Sequence, residues 1–491
     1  MLFLVKLFPE ITIKSRPVRK RQTRQLRKNI RSVLSEIDSG ITVRGEWDSI
    51  DVVPSEIAVA DQETLARLRE RLGCIPGIAL FLEVERHDLP DMDGMLSLAL
   101  NAYAEQLPGK TFAVRCKRTG RHAFRSIDVE RHVGAGINQQ VQTAGVKLKN
   151  PDVTVALEIR HEEFFIVRAQ HKGLGGFPLG CQDAVLSLIS GGFDSSVSSY
   201  LCIKRGLQTH YCFFNLGGRA HELAVKEVAL YLWMKYHSSH RVKFVTVPFE
   251  ELVGEILENV ENSQMGVILK RMMVRAATRV ADSLEIKGIC TGESVAQVSS
   301  QTLVNLNVIE EAADTLVLRP LVTSDKQDII DLAREIGTEE FSRNIPEYCA
   351  VISKNPTTRA RLDRIEAQEQ RMDFAVLDRA VEQANHQLIT EVVNDFNEES
   401  EEVEIVDVVP DDATVIDIRH PNEIDIAPLH LDRPEQLRLI PFYQLRTELG
   451  TDDRQARILL YCERGMMSRL HAAHLKDEGF VNIAVLDLRS R

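Results

Sequence analysis

The sequence predicts a multidomain α/β protein in which two small α+β units precede a doubly wound parallel sheet and a smaller α/β unit. Length is the first observation, since 491 residues correspond to three or four domains of roughly 150 residues each. The second is a glycine-rich break, Lys172–Gly180, which separates two patterns of elements. Beyond the break, apolar strands alternate with helices, and this alternation is typical of a parallel sheet that helices cover on both faces.

Residues 1–177 show the periods of two successive α+β units. Leu2–Leu7 and Glu10–Lys14 are predicted to flank a short Phe-Pro turn. The further predicted strands are Ile41–Trp47, Ile50–Val53, Ile78–Val84, Thr111–Arg115, Thr154–Ile159 and Phe164–Gln170. The predicted helices are Pro17–Leu34, Thr64–Leu72, Asp91–Gln106 and Arg125–Thr143.

From residue 183 onward the chain predicts buried strands with helices between them. These strands are Ala184–Ile189, Tyr211–Phe214, Val242–Val247 and Lys287–Thr291. Arg359–Val393 is predicted as one long charged helix, and the acidic run 397–404 as a solvated, mobile tether. The small α/β unit that follows is predicted to contain the strands Thr414–Ile418, Ile458–Tyr461 and Ile483–Leu486.

The charges are unevenly distributed along the chain. The total of 60 basic and 72 acidic side chains gives −12, but residues 1–177 carry 27 basic and 22 acidic side chains. The hydrophobic share of 44% excludes wholesale disorder, and no run approaches the roughly 18 apolar residues of a membrane span. Eight scattered cysteines without a CxxC pair favour reduced thiols, so we expect a cytoplasmic protein without a membrane partner.

The most specific motif is Ser190–Ser195 (SGGFDS), between an apolar strand and a helix. Its glycines allow backbone N–H groups to turn inward beside a helix N-terminus, which forms a nest for an anion. A plain strand-to-helix turn would need only glycine and serine. Asp194 exceeds that need, because a carboxylate beside a phosphate requires a cation such as Mg²⁺ between them. The arrangement resembles the PP-loop of ATP pyrophosphatases, which cleave ATP between the α and β phosphates.

A second strand–loop–helix motif surrounds Cys462, in the stretch Leu460–Leu470. Backbone amides and a helix N-terminus facing this cysteine would lower its pKa and stabilise a thiolate or a persulfide. The alternative is a buried apolar cysteine at a strand end. Arg464, Gly465 and Ser468 favour an anion cradle, and the stretch looks like the active-site loop of a rhodanese.

Two basic runs lie in the first part of the chain and could contact nucleic-acid phosphates. Lys14–Arg31 holds nine basic and no acidic residues, and Lys110–Arg131 holds seven basic residues against two acidic ones. A solvated charged face is the ordinary alternative. The pairs His237/His240 and His471/His474 have metal-ligand spacing but lack further ligands nearby, so they are predicted to be surface histidines and no metal site is predicted from them.

The three features together, in this order and chain length, closely resemble the tRNA 4-thiouridine synthetases, also called tRNA sulfurtransferases or the thiamine biosynthesis ThiI family. The resemblance implies a ferredoxin-like domain at 1–65, a THUMP RNA-binding domain at 66–170, a PP-loop ATP pyrophosphatase domain at 178–396 and a rhodanese domain at 405–491. It also implies ATP with Mg²⁺, and as partners tRNA, a cysteine desulfurase and the sulfur-carrier protein of thiamine synthesis. The assembly is left open, with a homodimer as one option.

Functional residues follow from matching the family's motifs to this sequence. The resemblance implies a persulfide on Cys462, a turnover disulfide between Cys349 and Cys462, and roles in activity for Asp194 and Lys326. The residues expected to bind ATP are Leu188, Ile189, Ser190, Gly191, Gly192, Asp194, Ser195, Lys270, Gly292 and Gln301. Those expected to bind tRNA, from the two basic runs, are Arg19, Lys20, Arg21, Arg24, Lys117, Arg118 and Arg121.

The implied reaction is chemically coherent. Adenylation of O4 of uridine 8 makes C4 electrophilic because AMP leaves readily, and a persulfide is a suitable nucleophile. Whether Cys349 frees hydrosulfide from the persulfide or resolves a covalent intermediate stays open. Three other functions also stay open, namely sulfur transfer to a carrier protein alone, an ammonia-using ligase in which Cys462 is dispensable, and an RNA-binding module with degenerate catalytic parts.

Overall fold

The computed structural model describes residues 1–45, 49–216, 218–343, 345, 353, 355–395, 403–419, 421–449, 454–463, 465–477 and 479–488. The chain forms two compact units, Met1–Pro178 and Leu179–Arg491, and their boundary falls inside the predicted glycine-rich break. Cys349, Arg464 and residues 397–402 of the predicted acidic tether lie outside the described residues.

The first unit is built on an eight-stranded mixed sheet. Its strands are β1 (Leu2–Leu7), β2 (Thr42–Arg44), β3 (Ser49–Val53), β4 (Ile78–Asp88), β5 (Thr111–Thr119), β6 (Gly145–Val146), β7 (Val153–Arg160) and β8 (Glu163–Lys172). Its helices are α1 (Pro9–Thr12), α2 (Arg16–Leu34), α3 (Glu56–Ala60), α4 (Gln62–Gly73), α5 (Met92–Tyr103) and α6 (Ser126–Gln140). The strand order is β2-β3-β1-β4-β8-β7-β5-β6, so the antiparallel β4–β8 pair joins both predicted α+β units in one sheet.

Two apolar clusters hold helices on this sheet. One contains Leu26 and Ile30 of α2 with Leu68 of α4, and the other contains Val133 of α6 with Val114 of β5. The amphipathic period of α2 therefore buries one stripe and leaves its basic face to solvent. After the Phe-Pro dipeptide the chain forms the short helix α1, because Pro9 stands in its first turn, where its fixed φ favours a helix.

The second unit begins with a six-stranded sheet. Its strands are β9 (Ala184–Leu188), β10 (Gln208–Asn215), β11 (Lys243–Pro248), β12 (Gly288–Cys290), β13 (Leu316–Leu318) and β14 (Asn385–Leu388). The order is β13-β12-β9-β10-β11-β14, parallel throughout except for β14 at one edge. The helices are α7 (Phe193–Lys204), α8 (Arg219–Leu232), α9 (Glu250–Asn259), α10 (Met265–Ser283), α11 (Leu303–Glu310), α12 (Lys326–Ile336), α13 (Glu339–Arg343), α14 (Leu362–Glu369), α15 (Ala375–Glu382) and α16 (Val392–Asp395).

The prediction of one long helix over Arg359–Val393 is wrong. The segment divides into α14, α15, β14 and α16. The Asp373 carboxylate accepts a hydrogen bond from the backbone N–H of Ala375 at 2.9 Å, which starts a new helix in place of continuing the old one. Further along, β14 pairs with β11, and this long-range pairing overrides the local charged pattern.

The second unit ends with a five-stranded parallel sheet. Its strands are β15 (Glu404–Val406), β16 (Thr414–Asp417), β17 (Leu437–Leu439), β18 (Ile458–Tyr461) and β19 (Ile483–Leu486), in the order β15-β19-β18-β16-β17. Its helices are α17 (Pro421–Ile426), α18 (Leu445–Glu448) and α19 (Met466–Asp477). The sheet has its own apolar core, which includes Val415, Leu459 and Leu486. The predicted multidomain α/β fold class with a doubly wound parallel sheet is confirmed.

The prediction that the paired histidines lie on the surface is wrong for His237 and His471. His237 is fully buried, and burial holds its pKa well below the ordinary value. His471 is also buried and lies 2.9 Å from the carboxylate of Glu227. Within the described ranges, no group of three or more metal-binding side chains is present. No helix in the described part of the chain is both long and apolar enough to cross a membrane.

Candidate active site

A cavity lies at the carboxyl end of the parallel sheet, at the point where the strand order reverses. After β9 the chain places β10 on one side, while β12 pairs with β9 on the other, so the loops that follow β9 and β12 diverge at their carboxyl ends. Ligands of doubly wound sheets bind at such a switch point. The cavity has a volume of about 460 Å³. It is lined by nine of the ten residues expected to bind ATP: Leu188, Ile189, Ser190, Gly192, Asp194, Ser195, Lys270, Gly292 and Gln301.

The loop after β9 presents helix α7 to this cavity. Gly191 has φ +83° and Gly192 stands at the N-cap of α7, where no side chain caps the helix. The first amides of α7 are therefore not occupied by a capping side chain. The Ser195 hydroxyl accepts from the Ser190 N–H at 3.2 Å and donates to the Gly192 carbonyl at 3.1 Å, which holds the loop in shape.

The loop after β12 approaches α7 closely because it contains Gly292. A Cβ at this position would lie 2.6 Å from the backbone carbonyl carbon of Asp194 and 2.8 Å from the Ser195 nitrogen. Backbone atoms cannot move aside as a flexible side chain could. Glycine is therefore required here to bring the two loops together.

Asp194 is held by two donors from other parts of the second unit. Lys326 Nζ donates to its two carboxylate oxygens at 2.9 and 3.2 Å, and Gln297 Nε2 donates to Oδ2 at 2.6 Å. Lys326 is the first residue of α12, and its side chain is 43% exposed. The cation that sequence reasoning required beside Asp194 is therefore supplied, at least in part, by a lysine.

Glu293 anchors the cationic side of the cavity, and sequence reasoning missed it. Its carboxylate lies 2.9 Å from Arg319 Nε and 3.7 Å from Lys270 Nζ, and it accepts from Thr291 Oγ1 at 3.0 Å. Burial raises the pKa of this carboxyl, but Lys270, Arg319 and the hydrogen bonds outweigh burial and hold the pKa below the ordinary value. The signal was present in the motif around Gly292, where a glutamate directly follows the glycine.

Gln301 and Gln297 belong to the loop that closes one side of the cavity. The Gln301 side-chain oxygen accepts from the Ser294 N–H at 3.4 Å, and the Gln301 backbone carbonyl accepts from the Ala296 N–H at 2.9 Å. Gln301 is buried, so its contacts fix the loop as well as lining the cavity. Gln297 has no counterpart among the predicted site residues, because its contact with Asp194 spans 103 residues of sequence.

Cys462 lies directly after β18, at the N-terminal end of α19. Its Sγ accepts a hydrogen bond from the Ser468 N–H at 3.3 Å, and backbone amides of Gly465 and Met467 also act on it. Burial nevertheless raises the pKa of this thiol above the ordinary value, because it outweighs the amides that lower it. The prediction of a lowered pKa is therefore wrong for this state of the loop. The sulfur is cradled as predicted, but it is also enclosed.

Two residues that flank the predicted partner cysteine line the cavity. Cys349 itself lies outside the described residues, whereas Ile345 and Ser353 on either side of it are described and both face the cavity. Ile345 also occupies the space beside Gly191, where a Cβ would lie 2.6 Å from Ile345 Cδ1.

The predicted tRNA contacts all lie in the first unit. Lys20, Arg21 and Arg24 are exposed on α2, whereas Arg19 is half-buried and donates to the Thr12 carbonyl at 3.3 Å. Lys117 is exposed on β5, where it alternates with the buried Cys116 and so points away from the helix-covered core. Beyond it, Arg121 is exposed, while Arg118 is half-buried and donates to the Gly120 carbonyl at 3.0 Å.

Two family models match this chain. Residues 180–374 match the family described as "Thiamine biosynthesis protein (ThiI)", and residues 90–167 match the THUMP domain.

Curated relatives match over nearly the whole length. The tRNA sulfurtransferase of Colwellia psychrerythraea is 54% identical and that of Azotobacter vinelandii 55% identical, each over 485 residues and 99% of both chains. Among solved structures, a 4-thiouridine synthetase in complex with RNA and bound ATP matches with a TM-score of 0.68 and 26% identity. That match covers 79% of this chain and 99% of the other.

A second structure, PH1313 from Pyrococcus horikoshii, shares the fold with a TM-score of 0.52 at 17% identity, and covers 69% of this chain and 100% of the other. Full-length identity above one half, together with both family models, decides the assignment. This chain belongs to the tRNA sulfurtransferase family of enzymes.

Proposed function

We propose that this protein is an ATP-dependent sulfurtransferase that adenylates uridine 8 of tRNA and replaces its O4 by sulfur from a persulfide on Cys462. The observation that carries the proposal is the cavity at the switch point of the parallel sheet, which gathers nine of the ten residues that the family resemblance implies for ATP binding. The 4-thiouridine synthetase that this chain resembles was solved with RNA and bound ATP. Our proposal assigns both as substrates here.

The cavity would bind ATP with its phosphates at the N-terminus of α7. Uncapped amides and the helix dipole favour negative charge there, and Lys270 and Lys326 add cationic side chains. A magnesium ion fits beside Asp194, since this carboxylate lines the cavity and one of its contacts is the neutral amide of Gln297, which an ion could displace. When bound, the ion would neutralise phosphate charge, while Asp194 and Lys326 orient the group that leaves.

Cys462 would carry the sulfur. Its thiolate attacks the terminal sulfur of a cysteine desulfurase persulfide, the desulfurase thiolate leaves, and Cys462 becomes the persulfide. The amides of Gly465, Met467 and Ser468 would stabilise the resulting anion. Because the resting thiol is buried, loading requires the loop to open toward the donor.

Two routes from the persulfide to 4-thiouridine balance equally. In one, the terminal sulfur attacks C4 and expels AMP, and the Cys349 thiolate then attacks Cys462 Sγ, so that the disulfide forms and the electron pair stays on the sulfur bound to C4. In the other, Cys349 attacks first and expels hydrosulfide, which then attacks C4. Either route oxidises two thiols, so a thiol reductant must restore them in each cycle.

The same chemistry would serve a second acceptor. A sulfur-carrier protein presents a C-terminal carboxylate that can be adenylated and sulfurated like the uridine carbonyl. The family model described as a thiamine biosynthesis protein favours this second role. Substituting Arg19–Arg24 by neutral residues should abolish tRNA thiolation and spare carrier sulfuration, since only tRNA depends on phosphate contacts.

The division of labour follows the domains proposed from sequence. We assign 1–65 as a ferredoxin-like domain and 66–170 as a THUMP domain, whose strands share the eight-stranded sheet. We assign 178–396 as the PP-loop domain and 405–491 as a rhodanese domain. The five-stranded parallel sheet with Cys462 at a strand end supports the last assignment.

Reconstitution tests the proposal directly. Purified protein receives tRNA, ATP, magnesium, cysteine, a cysteine desulfurase and a thiol reductant. Pyrophosphate release is followed through a single turnover, and 4-thiouridine is quantified by mass spectrometry. We expect Asp194→Asn to lose both products, and Cys462→Ser to lose 4-thiouridine but keep pyrophosphate release, because AMP stays on O4 until sulfur attacks C4. Cys181→Ser is the matched control and should keep both, since Cys181 lies outside the cavity lining. Full thiolation by Cys462→Ser would refute the persulfide role.

A further inference from the structure

The C-terminal sheet contacts the helices of the parallel sheet through a group of four rings, which we call the ring cluster: Tyr231, Phe341, Phe442 and His471. Phe341 and Phe442 stack with ring centroids 4.3 Å apart, at an interplanar angle of 26°. Tyr231 lies 5.0 Å from Phe341, and His471 lies 5.8 Å from Phe442. All four side chains are buried.

A close contact between a histidine and a carboxylate accompanies the rings. His471 Nε2 lies 2.9 Å from the Glu227 carboxylate, whose side chain is 14% exposed. Glu227 and Tyr231 are on α8 and Phe341 is on α13, whereas Phe442 and His471 belong to the C-terminal part. The apolar core of the C-terminal sheet is a separate cluster that includes neither Phe442 nor His471. The ring cluster thus joins buried side chains of α8 and α13 to buried side chains of the C-terminal part.

On the side of the parallel sheet, both contributing helices lead to the cavity. His221 of α8 lines the cavity, and Glu227 follows it six residues later, about 9 Å along the helix axis. Helix α13 carries Phe341, ends at Arg343 and is followed by Ile345, which also lines the cavity. The same stretch leads into the segment that contains Cys349.

On the C-terminal side, the contributing helix leads to the sulfur. The Ser468 N–H in the first turn of α19 donates to Cys462 Sγ, and His471 follows three residues later, about 4.5 Å along the axis. One rigid helix therefore carries both the cradle of Cys462 and the histidine that contacts α8. The way α19 packs against α8 therefore determines where Cys462 lies relative to the cavity of the second unit.

We propose that the ring cluster and the Glu227–His471 pair form the dock from which Cys462 delivers its sulfur, and that Glu227, Phe341, Phe442 and His471 are positioning residues for the transfer. This inference rests on the proposed function. None of the four residues takes part in a covalent step; they hold α19 so that Cys462 and the segment bearing Cys349 can meet. Losing the dock should slow transfer without affecting either half-reaction that precedes it.

Two variants test the dock, one that reverses the charge at Glu227 and one that also places a carboxylate at His471. We expect Glu227→Lys to lower 4-thiouridine formation about tenfold or more, while single-turnover pyrophosphate release and persulfide loading of Cys462 stay within about twofold. Formation of the Cys349–Cys462 disulfide under mild oxidation, measured without tRNA, should slow in parallel. Adding His471→Glu to Glu227→Lys restores opposite charges and should recover most of the transfer rate. Glu335→Lys, on an exposed position of α12, is the matched control and should leave all four readouts unchanged.

Phe442→Ala is the second variant, since it removes a ring without changing charge, and the same split between readouts is expected. Unchanged 4-thiouridine formation in both Glu227→Lys and Phe442→Ala would overturn the dock. Equal losses in all readouts would also overturn it, since they would indicate a purely structural contact. A wild-type protein that neither releases pyrophosphate nor forms the Cys462 persulfide would instead refute the proposed function.

Discussion

Two loops of the second unit each connect a strand to the N-terminus of a helix, but their backbone amides face different surroundings. The loop at 190–192 follows β9 and leads into α7, and the loop at 462–465 follows β18 and leads into α19. The first faces a cavity of about 460 Å³, whereas the amides of the second surround the Sγ of Cys462. Amides at a helix N-terminus can therefore serve an external anion or the chain's own sulfur, depending on what fills the space before them.

The strand ends beside the two loops also differ. Beyond β12, the buried Glu293 is shared between Arg319 and Lys270, and Lys270 lines the cavity. At the end of β16, Asp417 is fully buried and pairs with Arg419 at 2.6 Å, and the Arg419 guanidinium lies 5.1 Å from the ring centre of Tyr461. The first carboxylate holds a lysine at the cavity wall. The second closes a structural pair beneath the residue that precedes Cys462.

The largest effect is expected from breaking that closed pair. Asp417→Asn keeps the side-chain shape but leaves the Arg419 cation buried without its partner, which costs about 3–5 kcal/mol. Protection of the β18 amides from hydrogen exchange should fall accordingly, measured by mass spectrometry. Asp432→Asn is exposed and should leave protection unchanged. Equal protection in wild type and Asp417→Asn would show that the pair does not support the Cys462 loop.

The next effect concerns the approach of the two loops at the cavity. Gly292→Ala places a Cβ 2.6 Å from the Asp194 carbonyl carbon, so the loop after β12 must move away from α7. A displacement of this kind should lower kcat/KM for AMP formation by roughly a hundredfold. Gly254→Ala on α9 is the matched control, because no atom lies within 4 Å of the added Cβ. Wild-type AMP formation by Gly292→Ala would contradict the proposed nucleotide site.

Much of the first loop could be predicted from sequence because its features are local. The strand, the glycines and the helix start lie within twelve residues, and their combination indicates an anion site. Glu293 and Gln297 were missed because their meaning comes from partners 26 and 103 residues away. Fold class was likewise predictable from strand and helix periods, whereas β14 was not, since only its pairing with β11 makes it a strand.

The second loop shows the limit of local reasoning more clearly. Its pattern indicated amides around Cys462, and the structure places them there. The direction of the pKa shift depends on burial by the whole unit, which no loop motif encodes. His471 is a similar case, since the carboxylate that it contacts belongs to Glu227, 244 positions earlier in the chain.

A smaller effect separates the role of Glu293 in stability from its role at the cavity. Glu293→Gln removes the charge that pairs with Arg319 and Lys270, and should lower the free energy of unfolding by about 1–3 kcal/mol at neutral pH. Because the folded pKa of Glu293 is lowered, this contribution is present above the ordinary carboxyl pKa and is lost as the pH falls through the folded value. Urea unfolding at a series of pH values should show wild type and variant converging in acid. Glu311→Gln, an exposed change, should show no such convergence, and a constant difference for Glu293→Gln would contradict the assigned ion pairs.

The smallest effect concerns the reactivity of Cys462, on which burial and the backbone amides act in opposite directions. Burial raises its pKa and the amides lower it, with burial prevailing in the resting state. We therefore expect iodoacetamide to alkylate Cys462 several-fold more slowly than the partly exposed Cys74 and Cys181 at neutral pH. The rate should keep rising with pH beyond the range of an ordinary thiol, and the three rates should converge in urea, where the loop no longer exists. Faster alkylation of Cys462 at neutral pH would mean that the loop opens readily in solution. Its amides would then be accessible to an external ligand, like those of the 190–192 loop.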